Sequence, residues 1–197
     1  MDNDTIIVKD GFITPLMMSP FNDIIERSTF DGVDYFGRFY PGVAPSNKTV
    51  DACVEMSLQS LLGFPVELVL SMMRLECKDD QPTAWIHADT VCASEFSLVG
   101  YMNESPLAWG GTGFWKHNIV GHTNESFKDN EVAQRFIDRD AHTMDNWQLT
   151  DLVGYKKNRA VIFPSDRFHS RYPRESFGTC KETGRLIFVA FFNRKDN

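Results

Sequence analysis

Seven consecutive residues near the end of the chain, Leu186-Ile187-Phe188-Val189-Ala190-Phe191-Phe192, are all apolar. Side chains on a strand alternate between faces, so a strand of this composition needs cover on both sides. It has to be the central strand of a layered protein. The chain supplies partners for it. From Thr83 onward, apolar and aromatic runs separated by Gly and Pro predict strands over 83–91, 95–103, 109–117, 158–163, 168–172 and 185–193, the pattern of a sandwich or barrel. Val50, Val54, Leu58, Leu61 and Leu62 recur at helical spacing. That helix should start at a cap on Ser46 or Thr49, end at Gly63, and cover one face of the apolar strand.

Upstream and between these pieces the pattern is mixed. Thr5 to Lys9 reads as a strand, Pro20 to Arg27 as a short helix with Pro20 in its first turn, and Pro65 to Glu76 as a buried strand. The aromatic stretch Asp34 to Tyr40 runs into a turn at Pro41-Gly42. Between Lys116 and Lys157 a helix is expected over Asp129–Arg139, with Val132, Phe136 and Ile137 as its stripe, then a strand over Trp147–Tyr155. The expected organisation is one domain over 1–197, with 1–82 as helix-and-strand support and 117–157 as an insertion between core strands.

With 197 residues, 42% of them hydrophobic and 16 Phe, the chain can bury a sizeable core. A formal charge of −7 and a pI near 5.2 argue against nucleic acid as a partner. No basic start with an apolar run suggests a signal peptide, and no apolar run reaches the length of a membrane span. Cys53, Cys77, Cys92 and Cys180 lack Cys-x-x-Cys spacing, so reduced thiols in a cytoplasmic protein are expected.

The chemistry-bearing residues are His87-x-Asp89 within Trp85-Ile86-His87-Ala88-Asp89, and His169 within Phe163-Pro164-Ser165-Asp166-Arg167-Phe168-His169. Two imidazoles and one carboxylate form the facial triad that non-haem Fe(II) uses, with three metal positions left open. On an extended segment His87 and Asp89 share a face, and His169 would have to arrive from a distant strand. The other histidines, His117, His122 and His142, sit among polar residues and are expected to be exposed. Arg185 opens the apolar strand, where a buried guanidinium needs an anionic partner. Gly110-Gly111-Thr112-Gly113 has no following Lys-Ser/Thr, so a phosphate cradle is not indicated.

In this order, the His-x-Asp segment, Gly100-Tyr101-Met102-Asn103-Glu104, Trp109-Gly110-Gly111-Thr112-Gly113-Phe114-Trp115, the Phe-Pro…His169 segment and Gly184-Arg185-Leu186-Ile187 resemble the Fe(II)/2-oxoglutarate-dependent oxygenases, nearest their prolyl-hydroxylase-like branch. The resemblance spans roughly Trp85 to Asn193. It implies a mainly β fold with flanking helices, a double-stranded β-helix of jelly-roll or cupin-like type. It also implies Fe(II), 2-oxoglutarate and O2 as cofactor and cosubstrates, with His87, Asp89 and His169 as metal ligands. Arg185 would take the far carboxylate of 2-oxoglutarate, and Tyr101 would offer it a hydroxyl. The gap from His169 to Arg185 is longer than the family pattern, which leaves Arg171, Arg174 and Lys181 as rival anchors and makes 173–183 a longer loop beside the site. Asp89 stands where the family's halogenases carry a small residue, so the implied reaction is hydroxylation of an unactivated C–H bond in an amino acid, a peptide side chain or another small molecule. Two alternatives remain open on the residues alone: a cupin-type metal protein with different chemistry, and a non-catalytic β-sandwich interaction module.

Overall fold

The computed structural model describes residues 5–35, 38–78, 80, 85–89, 93–104, 110–123 and 131–195, with no side-chain description at 35, 38, 131–134 and 136. Eleven strands and three α-helices are found among them. A six-stranded antiparallel sheet has the order β1(Ile7–Asp10), β9(Arg159–Pro164), β6(Phe96–Tyr101), β11(Arg185–Arg194), β5(Val66–Glu76), β4(Val43–Pro45). A smaller sheet has the order β10(His169–Tyr172), β7(Gly111–His117), β8(Trp147–Gly154), and β2(Val33–Tyr35) pairs with β3(Arg38–Tyr40) as a hairpin. No helix among the described residues is long and apolar enough to cross a membrane.

The apolar strand β11 lies between β5 and β6, paired to β5 from Arg185 to Arg194 with a register shift at Phe191/Phe192 and to β6 from Ile187 to Phe192. Its alternate residues serve two cores. Leu186, Phe188, Ala190 and Phe192 pack with Phe21 and Ile24 of α1(Ser19–Arg27) and with Val50, Val54 and Leu58 of α2(Lys48–Leu62). Ile187 faces the other way and packs between the sheets with Val99, Tyr101, Phe114, Val161 and Phe163. A third cluster, with Trp85, Trp115, Trp147 and Phe168, includes Ile137 of α3(Glu131–Asp140).

The expected helix over 50–62 runs from Lys48 to Leu62 and is capped by neither expected residue. Asn47 accepts from the amides of Thr49 and Val50, both at 3.0 Å, while the Ser46 hydroxyl turns to Asp51 at 2.7 Å. Gly63 ends it in the left-handed region (φ 76°). The expected strand over 83–91 is a single bridge at His87 among its described residues, and 83, 84, 90 and 91 lie outside them. The ladder stops because the facing segment turns. Arg167 N–H donates to Pro164, and both backbone groups of Phe168 are taken, its N–H by His122 and its carbonyl by Trp115. Beyond the expected start of the 109–117 strand, Trp109 also lies outside the described residues, as do Cys92 and residues 129–130 of the expected helix. Cys53 and Cys180 are free thiols.

The excursion after β7 returns as a strand, since β8 pairs along β7 from His117↔Trp147 to Gly111↔Gly154. Glycine is required at 111 because a Cβ there would run into the Val153 carbonyl of β8.

Phe188 is buried edge-on against Phe21, centroids 5.4 Å apart. Phe188→Ala should cost about 3–5 kcal/mol and Asn47→Ala about 1 kcal/mol. Urea unfolding of both variants checks the ranking, and equal losses would contradict this division between core and cap.

Candidate metal centre

His87 and His169 face each other across the isolated bridge. Each donates its N–H to the other's carbonyl, at 3.0 Å and 2.9 Å, and Asp89 N–H reaches the Ser165 carbonyl at 2.7 Å. The bridge therefore aligns two segments about eighty residues apart in the chain. His87 Nε2 lies 3.6 Å from Asp89 Oδ1, and His169 Nε2 lies 3.3 Å from Asp89 Oδ2. One donor atom from each of the three falls within 4.8 Å of the others. Metal–imidazole bonds of roughly 2.1 Å at right angles need donors roughly 3 Å apart, so a small inward adjustment closes this set on one ion.

Both imidazoles are held in the tautomer that a metal needs. His87 Nδ1 is 3.0 Å from the Trp85 carbonyl and His169 Nδ1 is 2.9 Å from the Arg167 carbonyl. A carbonyl only accepts, so each Nδ1 donates to it, and each Nε2 is left as the atom that faces Asp89 and could take a metal. Burial pushes the His169 pKa down to about 4, against the pull of the Asp89 carboxylate, and this keeps the ring neutral at pH 7. The His169 side chain is 7% exposed and packs on Phe163 and Phe114, whereas His87 is 37% exposed. The centre is thus walled on one side and open on the other.

A second polar group lies in the same interior. On β10, Arg171 follows His169 by two residues and shares its face. Arg171 Nη1 is 3.3 Å and Arg74 Nη2 3.1 Å from Glu76 Oε1, while Arg185 Nη1 donates to Glu76 Oε2 at 2.9 Å. Burial opposes ionisation of Glu76, but the fields of Arg74, Arg185 and Arg171 outweigh it and hold the carboxyl down at about 2. The Arg185 charge also reaches His169, whose protonation it disfavours.

Of the rival cations, Lys181 and Arg174 are engaged elsewhere, while Arg171 shares Glu76 with Arg185. Lys181 Nζ caps the end of α1 through the carbonyls of Ile25, Glu26 and Ser28. Arg174 is exposed, with its guanidinium 5.3 Å from the Trp85 ring and one nitrogen 3.1 Å from His142 Nδ1. Arg171 Nε is tied to the Arg174 carbonyl at 2.7 Å. The loop after β10 is tied down by hydrogen bonds to Asn103 and Lys78. Asn103 donates to the carbonyls of Lys181, Glu182 and Gly184, and Lys78 N–H to that of Gly178. Tyr101 is buried and stacked on Tyr155, its hydroxyl 2.8 Å from Thr112 Oγ1 and donating to the Val153 carbonyl.

One histidine departs from expectation. His117 is buried, not exposed: its Nδ1 accepts from the amides of Ile119 and Val120, its Nε2 faces Asp140 at 3.3 Å, and its ring packs against Trp147. It staples the turn after β7 to α3. His142 is exposed and His122 half-buried. The cluster around Glu76 was not singled out from sequence. Arg74 and Glu76 at i and i+2 on one strand were its only local sign.

Residues 25–192 match the family described as "Family of unknown function (DUF6445)". The chain belongs to DUF6445. No curated protein matches this DUF6445 chain in sequence. Among solved structures it is similar to the non-heme alpha ketoglutarate dependent epimerase SnoN from nogalamycin biosynthesis (TM-score 0.58, 12% identity, covering 96% of this chain and 78% of that one). It is also similar to HygX from Streptomyces hygroscopicus, solved with nickel and 2-oxoglutarate bound (0.57, 12%, 98% and 84%). EctD from S. alaskensis, solved with 2-oxoglutarate and 5-hydroxyectoine, is a third (0.53, 14%, 98% and 73%). At these identities the likeness is one of fold, and the DUF6445 chain has the mainly β jelly-roll architecture expected of it.

Glu76 ties stability to acid pH. Its carboxyl sits near 2 in the folded chain against 4.5 as the ordinary value, so its contribution, on the order of 3 kcal/mol, is complete above 4.5 and is lost as pH falls toward 2. Urea midpoints taken from about pH 6 down to about pH 3 should fall less steeply in Glu76→Gln than in the parent. Identical slopes would contradict the ionised carboxylate.

Proposed function

We propose that this chain is an Fe(II)- and 2-oxoglutarate-dependent dioxygenase that hydroxylates an unactivated C–H bond of a small molecule, with an amino acid or peptide side chain as the first candidate. The observation that carries the reading is the convergence of His87, Asp89 and His169, donors of the type and number that Fe(II) takes while keeping positions open. The solved structures of similar fold include proteins described with iron, 2-oxoglutarate and small-molecule ligands, hygromycin B among them, which supports the same class of chemistry here. The whole chain is read as one oxygenase domain.

His87 Nε2, His169 Nε2 and an Asp89 oxygen would hold the metal. Arg185 would take the far carboxylate of the cosubstrate. It is buried, it shares a strand face with Ile187 of the inter-sheet core, and its Nε has no acceptor among the described residues. A buried guanidinium N–H without an acceptor is a costly arrangement that a carboxylate relieves. Tyr101, held by Thr112, would line the same wall. Iron with 2-oxoglutarate and O2 would supply the oxidation, yielding succinate, CO2 and a hydroxylated product.

The protein's own part is positioning and exclusion of water. The Trp85 and Arg167 carbonyls fix the two rings, Phe114 and Phe163 close the His169 side, and the open His87 side admits substrate.

Anaerobic titration with Fe(II) and 2-oxoglutarate should develop the weak visible charge-transfer band of the chelate. His87→Ala and Asp89→Ala should lose metal and band together. Arg185→Ala should keep metal but weaken 2-oxoglutarate by about tenfold or more. No band, and no succinate from a broad substrate panel with Fe(II) and ascorbate, would contradict the reading and favour a cupin-type protein.

A further inference from the structure

Three guanidinium groups meet one carboxylate in the interior. Arg74, Arg171 and Arg185 all contact Glu76 within 3.3 Å, so the cluster carries two more positive charges than negative ones. Arg171, Arg185 and Glu76 are each less than 9% exposed. The donors are unequally satisfied. Arg171 spreads its hydrogen bonds over the Arg174 and Asp80 carbonyls as well as Glu76. The Nε atoms of Arg74 and Arg185 are buried without an acceptor among the described residues. Glu76 holds Arg185 only through Nη1. The opposite edge, Nε with Nη2, is the one that grips a carboxylate side-on, and it carries the orphaned donor.

We propose that Glu76 is a resident counter-anion that sets how tightly the arginine cluster binds an acid ligand: it compensates the cluster in the ligand-free protein and repels a carboxylate arriving on the far edge of Arg185. The proposal rests on the reading of Arg185 as the cosubstrate anchor. Two carboxylates at the two ends of one guanidinium lie closer than the screening length of physiological salt, in a place with little water, so their repulsion is felt nearly in full. The opposing effect is that Glu76 also steadies Arg185. The β11 backbone, paired to β5 with Arg185 opposite Glu76, already fixes the start of that side chain. What Glu76 adds is one restrained rotamer, a smaller matter than a buried like-charge contact. Glu76→Gln removes both the charge and the steadying contact, so the change in affinity shows which of the two is larger. Its amide oxygen can still accept from Arg74 and Arg171, while the charge and the acceptor on Arg185 are removed.

The test is the dissociation constant of 2-oxoglutarate, read from the anaerobic Fe(II) chelate band, beside that of pyruvate, a 2-oxo acid without the far carboxylate. In Glu76→Gln the expected result is about tenfold tighter 2-oxoglutarate binding, unchanged pyruvate binding, and a lower melting temperature without ligand. Arg74→Gln, at a partly exposed position, should do the reverse, weakening 2-oxoglutarate severalfold and leaving pyruvate alone. It also serves if Glu76→Gln fails to fold. A merely structural role for Glu76 moves both acids together or weakens 2-oxoglutarate. Either outcome, or unchanged 2-oxoglutarate affinity in both variants, overturns the proposal. If the parent chain gives no band with 2-oxoglutarate, the oxygenase reading fails and this role fails with it. A band in the parent with the same affinity in the variants removes only the role of Glu76.

Discussion

The paired backbone hydrogen bonds between His87 and His169 are the constraint on which the site depends. Among the described residues they are the one point where the His-x-Asp segment is laddered to β10, and they set the two imidazoles with centroids 4.5 Å apart. The rest of the centre follows locally. Asp89, two residues on, is fixed by its own amide on Ser165, and the ring tautomers are fixed by two carbonyls. The candidate donor set is therefore preorganised by backbone geometry, and burial keeps His169 unprotonated.

The sheets supply the remaining wall. β11 is paired along its length by β5 and over Ile187–Phe192 by β6, and its alternation divides it between the helix-covered core and the inter-sheet space. Arg185 falls on the inter-sheet side, where it meets Glu76, Arg74 and Arg171. A buried cluster with an excess of two positive charges is an unusual thing for a chain of net charge −7 to maintain. Desolvating charges without full compensation is expensive, and an anionic ligand accounts for the arrangement better than stability does.

Much of the fold was legible in the sequence because its signals are strong and local. The apolar run Leu186–Phe192 announced a central strand, and the 50–62 stripe with Gly63 announced a helix that covers it. The spacing of His87 and Asp89 put two candidate donors together, the family pattern added His169, and the three side chains do converge. What escaped depended on long-range partners. His117 looked like one more polar-segment histidine, and its burial follows from Trp147 and Asp140, more than twenty residues away. The Ser46 and Thr49 caps lost to Asn47 between them, a choice among similar residues that only loop geometry decides. The arginine cluster draws on β5, β10 and β11, and no window of sequence contains all four residues.

The most direct measurement is X-ray absorption at the iron edge on the anaerobic Fe(II)-loaded chain, beside His87→Ala and His169→Ala. Expected is one iron per chain with two imidazole ligands and oxygen donors filling the rest, and a drop to one imidazole in either variant. A parent spectrum without imidazole scattering, or an imidazole count that neither substitution lowers, would contradict the assignment of His87, Asp89 and His169 as a single metal centre.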